Sequence, residues 1–136
     1  MTYLRKFPDA ISNYFHEIEL GVGKRGSTFT DVDAVSHDGE TRRFLFREFK
    51  QDGEALCKAQ RWVLSDLACL PGCTVWFVRR LDSGLIGWAQ FGSGRPEVPI
   101  TVTEYRRLLA CWWNAEPICP TPATTCDAMR QMGFWA

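Results

Sequence analysis

Apolar positions along the chain alternate between helical and strand spacing. Over residues 8–20, Ile11, Tyr14, Phe15 and Ile18 fall on one stripe, behind a proline at the position where a helix tolerates its missing N–H. Gly21, Gly23 and Gly26 close that helix in a basic loop. Residues 29–35 and 44–50 read as strands, joined by hairpin chemistry at residues 37–40 with Asp38 and Gly39 at its centre. Asp52 and Gly53 turn into a second helix, on which Leu56, Ala59, Val63, Leu64 and Leu67 keep helical spacing until Pro71 and Gly72 stop it. Strands over 74–79 and 85–91 flank a turn at 82–84, and Thr101 with Glu104 carries the capping-box spacing of a last helix. The predicted order is αββαββα. Its strand–helix–strand step requires a parallel pair inside a mixed sheet. The expected class is therefore α/β (α+β), a central mixed sheet flanked by helices. One domain is expected over residues 1–116. The Pro/Thr-rich stretch 117–136 reads as an irregular tail that docks back through the aromatics of 129–135.

Composition refines this picture only slightly. At 136 residues with 46% hydrophobic content the chain suits a single core, and six tryptophans and nine phenylalanines make that core aromatic-rich. Sixteen basic residues balance sixteen acidic ones, which counts against tight non-specific binding to nucleic acid, although local distribution matters more than the sum. The first eight residues turn polar before an apolar leader forms, and no apolar run reaches bilayer-spanning length. A soluble, cytoplasmic protein with no membrane partner is expected. The six cysteines show no C-x-x-C pair. Cys57 and Cys69 lie in a helical apolar pattern and are expected to be buried thiols, and the spacing of Cys111, Cys119 and Cys126 is wrong for the usual zinc knuckles.

Candidate chemistry concentrates on the two adjacent strands. Side chains alternate faces along a strand, so Glu48 and Lys50 point the same way, as do Asp31 and Asp33. In a hairpin, cross-strand neighbours lie roughly 5 Å apart, close enough for one aspartate to share an ion with Glu48. Asp33 is the choice, wrapped by Val32, Ala34 and Val35, and Asp31 is the alternative. Phenylalanines and a leucine on both faces of 44–49 mark a central strand, where a charge is costly unless paired or metal-bound. Carboxylates are the hard oxygen ligands that Mg²⁺ prefers, and a neighbouring lysine orients water or steadies charge on a phosphate. Such a set suits metal-assisted cleavage of a phosphodiester. Arg25, Arg43 and Arg79 are candidates for contacts to a nucleic-acid backbone. His16 and His37 read as surface or turn residues, and Trp112–Trp113 as core or an oligomer contact.

Asp33, then Glu48–Phe49–Lys50, then Gln60 on the following helix, is an ordered set that resembles the PD-(D/E)XK nuclease superfamily. Residues 48–67, with Leu56, Gln60 and Trp62, and the apolar strand after them are most similar to its VRR-Nuc and Holliday-junction-resolvase-like branch. The likeness spans roughly residues 10–90, and Thr30 or Val32 stands where the name-giving proline would be. The resemblance implies a restriction-endonuclease-like core. It also implies a Mg²⁺- or Mn²⁺-dependent deoxyribonuclease, an endonuclease more than an exonuclease, cutting branched or structured DNA. Asp33, Glu48 and the Phe49 carbonyl would hold the ion, with Glu17 or Glu19 of the first helix completing the shell. Lys50 would position the attacking water and Gln60 would orient Lys50 or that water. A homodimer would cut two strands symmetrically. The rival readings are a catalytically inactive nuclease-fold module that binds nucleic acid or a protein, and a small structural protein with an aromatic interaction surface.

Overall fold

The computed structural model describes residues 2–5 and 32–133. The expected first helix over 8–20 lies outside the described residues, as do Glu17, Glu19, Arg25 and Asp31. Six strands form one sheet in the order of the chain: β1 (Thr2–Arg5), β2 (Ala34–Asp38), β3 (Arg43–Gln51), β4 (Cys73–Arg80), β5 (Ile86–Gln90) and β6 (Val98–Ile100). Helix α1 (Lys58–Ala68) joins β3 to β4, which are the parallel pair; all other neighbours are antiparallel. Helices α2 (Val102–Trp113) and α3 (Thr125–Gln131) follow the sheet. The mixed sheet and its parallel step match the expected class.

Several elements differ from the expectation, each for a physical reason. The strand predicted over 29–35 is seen, among the described residues, from Ala34, with Asp33 in a bend just before it. The hairpin turn falls on residues 39–42 and not on Asp38–Gly39. The Asp38 carboxylate accepts the N–H groups of Glu40 and Thr41, and the left-handed residue is Arg42 (φ 56°). Strand β6 reads Val-Pro-Ile, and its central proline hid it. A proline lacks the ladder donor and is tolerated only at a sheet edge, which is where β6 lies. The tail is not wholly irregular. Thr124 and Asp127 form a reciprocal capping box that starts α3.

The two faces of the sheet have different contents. Leu45, Trp76, Val78, Trp88 and Ile100 share one face with Leu108 and Trp112 of α2, and this aromatic cluster is the core. Trp76 and Trp88 meet edge to face at 5.5 Å, and the Trp76 indole N–H donates to Gln90. Phe46, Glu48 and Lys50 alternate with Leu45 and Arg47 and so face the other way, toward α1, whose buried residue is Leu64. Gly72 (φ 77°) brings the chain from α1 back beneath the hairpin, where its carbonyl accepts the Phe44 N–H. A Cβ there would also crowd the Arg42 carbonyl at 3.3 Å.

Helix α2 is pinned at its start. Thr101 Oγ1 accepts the Glu104 N–H, but the other half of the box is diverted: the Glu104 carboxylate takes two bonds from Arg107 (2.6 and 2.7 Å) and one from the Thr121 N–H. Those Arg107 bonds, followed by the Thr121 N–H, hold the Glu104 carboxyl below its usual range. A depressed carboxylate contributes stability above its unfolded pKa and loses it as pH falls through the folded value. We therefore expect Glu104→Gln to be less stable than the parent at neutral pH, with the gap closing between neutral and acidic pH in thermal melts.

Candidate functional site

The site is assembled where the β2–β3 ladder ends. The last β2–β3 partners on this side are Ala34 and Arg47, which makes Asp33 the next residue opposite Glu48. Instead of continuing the ladder, Asp33 turns its side chain onto it: Oδ2 accepts the Phe49 N–H at 2.8 Å. In an extended strand the N–H and C=O of one residue point to the same side. The Phe49 carbonyl therefore faces the side on which Asp33 lies.

Glu48 is 3% exposed. One carboxylate oxygen, Oε1, accepts the Gln60 amide at 3.1 Å and lies 3.9 Å from the Lys50 ammonium. Burial of a carboxylate costs several kcal/mol, roughly, unless partners replace its water. Here the partners are a cation two residues along the same strand and an amide delivered by the crossover helix.

Gln60 makes two contacts that fix each other. Its Oε1 accepts the Cys57 N–H at 3.1 Å while its own N–H bonds to Cys57 Sγ at 3.4 Å, a capping box built on sulfur. Only the amide N–H₂ is then left to meet Glu48, so the cap decides which end of the amide faces the carboxylate. The thiols expected to be buried are thus at the ends of α1: Cys57 is its exposed N-cap and Cys69 its exposed C-cap. We expect Gln60→Glu to destabilise the fold by about 1–3 kcal/mol at neutral pH, because two carboxylates would then face each other. Such repulsion raises the pKa of one of them, so the penalty should grow as pH rises through that value and fade in acid. Urea unfolding at several pH values checks both the size and the trend.

Two of the arginines expected to contact a nucleic-acid backbone are otherwise engaged. Arg43 lies on the opposite face. It bonds to the Trp112 carbonyl (2.7 Å), pairs with Asp38 (3.1 Å) and covers the Trp112 ring, tying the hairpin to the end of α2. Strand alternation places it two positions from Leu45, on the core side, and that parity was available in the sequence. Arg79 is beside Lys50 in the β3–β4 register, but its guanidinium pairs with Glu97 (3.0 Å) and donates to the Gln51 (3.0 Å) and Glu54 carbonyls. It clamps the start of the crossover. Trp112 and Trp113 belong to α2, and Trp112 is in the core.

Asp33, Glu48, Lys50, Gln60 and the Phe49 backbone are thus brought to one place. Among the described residues no three His, Cys, Asp or Glu side chains converge on a point that would hold a metal, and this includes Cys111, Cys119 and Cys126. The donor set present is two neighbouring carboxylates and a backbone carbonyl. All are hard oxygen ligands, and they fit Mg²⁺ or Mn²⁺ better than zinc. Arg61, one residue past Gln60, and Arg95 in the loop after β5 were not singled out from sequence, and both border a cavity next to this site. Comparison with protein-family models, with curated proteins and with solved structures returned no match. No described helix is long and apolar enough to cross a membrane.

Proposed function

We propose that this chain is a Mg²⁺- or Mn²⁺-dependent deoxyribonuclease of the PD-(D/E)XK type, most like the VRR-Nuc branch, hydrolysing phosphodiester bonds within structured DNA. The observation that carries this reading is Glu48: a carboxylate held 3% exposed, oriented by a helix-borne amide, with Lys50 and Asp33 beside it. A fold needing only stability would be served as well by an apolar residue there.

In this reading Asp33, Glu48 and the Phe49 carbonyl would hold the ion, and Glu17, outside the described residues, would be the further ligand. A divalent ion in such a site lowers the proton affinity of bound water and draws charge from the phosphoryl oxygens. Lys50 steadies the water that attacks phosphorus and offsets the negative charge that grows on the phosphate. Gln60 keeps Glu48 in one rotamer and so keeps its carboxylate directed at the same point. Six thiols without disulfides suit a reducing cytoplasm. Symmetric cutting of two strands would take a second copy of the chain.

The test is incubation of the purified protein with linear duplex, single-stranded and four-way-junction DNA in Mg²⁺, Mn²⁺ or EDTA. Cutting that needs the metal and favours the junction supports the reading. Binding of these DNAs by folded protein that cuts none of them would replace it with the inactive-module reading.

A further inference from the structure

A cavity of about 340 Å³ opens on the α1 side of the sheet, one strand away from Glu48. Its floor is Phe77, the β4 partner of Glu48, and Ala89, the β5 partner of Phe77. The space exists because β5 presents only small residues on this face. Gly87 is the other one, and the Glu97 carboxylate lies where its Cβ would be, 2.0 Å from that position. Leu56, Arg61, Phe91 and Arg95 line the rest of it.

The charges in this cavity are unequal. Glu97 is the one carboxylate in the lining and is already paired with Arg79. Arg61 and Arg95 are exposed, and among the described residues neither guanidinium has a hydrogen bond or an ion pair. Every other element of the lining is apolar or uncharged apart from Arg79. Two uncommitted guanidiniums facing aromatic and aliphatic walls suit a ligand with an anionic end and a flat apolar body.

We propose that this cavity is a binding site for a phosphate ester the size of one nucleotide. Arg61 and Arg95 take the phosphate, and the base lies against Phe91 and Leu56, the Phe77 ring being covered by Arg79. A paired base inside a duplex cannot enter without leaving its stack. The ligand is therefore an unpaired nucleotide of a strand or a free mononucleotide. The site does not require the catalytic reading above, since binding here needs neither the metal nor Lys50.

Calorimetric titration of the full chain in EDTA tests it, with thymidine 5′-monophosphate, thymidine and inorganic phosphate as probes. The monophosphate should bind, and removing either half of it should weaken binding by about tenfold or more. The double variant Arg61→Ala/Arg95→Ala removes two exposed side chains and should lose about tenfold or more in affinity with an unchanged melting temperature. Ala89→Leu, which raises the floor, should abolish binding. A 5′-phosphorylated trinucleotide binding tighter than the monophosphate assigns the site to a strand, and equal affinity assigns it to the free nucleotide. No heat with the monophosphate, or equal heat with the double arginine variant, would overturn the proposal. Because DNA cutting in Mg²⁺ is measured separately, failure of this site and failure of the nuclease reading are distinguishable.

Discussion

Lys50→Met is expected to lower metal-dependent DNA cleavage by roughly 10²–10³-fold, the usual loss when one preorganised donor is removed from a developing charge. Methionine keeps the stem of the side chain and removes the ammonium that lies 3.9 Å from Glu48. Loss of a nearby cation leaves the carboxylate pair more attractive to a divalent ion. Mn²⁺ binding should therefore persist or strengthen while turnover falls. That split separates a catalytic lysine from a merely structural one. If Lys50 only balanced the buried Glu48, the variant would melt earlier and cut at the parent's rate per folded molecule. Cleavage kinetics read beside a thermal melt and a Mn²⁺ titration distinguish the two.

The largest stability effect is expected at Trp76. It is 0% exposed, packs edge to face on Trp88 and near Tyr105, and its indole N–H is satisfied by Gln90. Trp76→Ala removes the largest fully buried side chain and should cost about 3–5 kcal/mol, the usual range for a buried aromatic truncated to alanine. Set against a typical total of roughly 5–15 kcal/mol, that is a large share of the stability of a small domain. Trp76→Phe should be milder, losing part of the volume and the Gln90 bond. Urea denaturation of both variants measures the difference, and a midpoint for Trp76→Ala within error of the parent would contradict the assignment of the core.

The segment from β3 through α1 to β4 was legible because each signal in it agrees with its neighbours. Apolar residues on both faces of 44–49 mark a central strand, Asp52–Gly53 a turn, and period-3.6 leucines a crossover helix. The same alternation rule put Glu48 and Lys50 on one face. The register sets Asp33 opposite Glu48, although it precedes the strand and is not at its centre. What was missed depends on contacts distant in sequence or on weak local signals. Strand β1 has four residues, β6 is interrupted by Pro99, and α3 is announced only by Thr124 and Asp127. Cys57 was misplaced because a thiol in an apolar run reads as core, whereas here it stands just before the helix and caps it. Arg43 and Arg79 were offered to a ligand on charge alone. Their partners, the Trp112 carbonyl and Glu97, are 69 and 18 residues away and become neighbours only in the folded chain.

Asp33 and Glu48 as a shared ion site is the claim on which the rest stands. The most direct test is titration of Mn²⁺ into the full chain and into Asp33→Asn/Glu48→Gln, followed by calorimetry. One saturable binding event in the parent that disappears in a folded double variant is the predicted result. A parent that is folded and takes up no Mn²⁺, or a double variant that binds it equally well, would contradict the account and leave Glu48 as a buried structural charge.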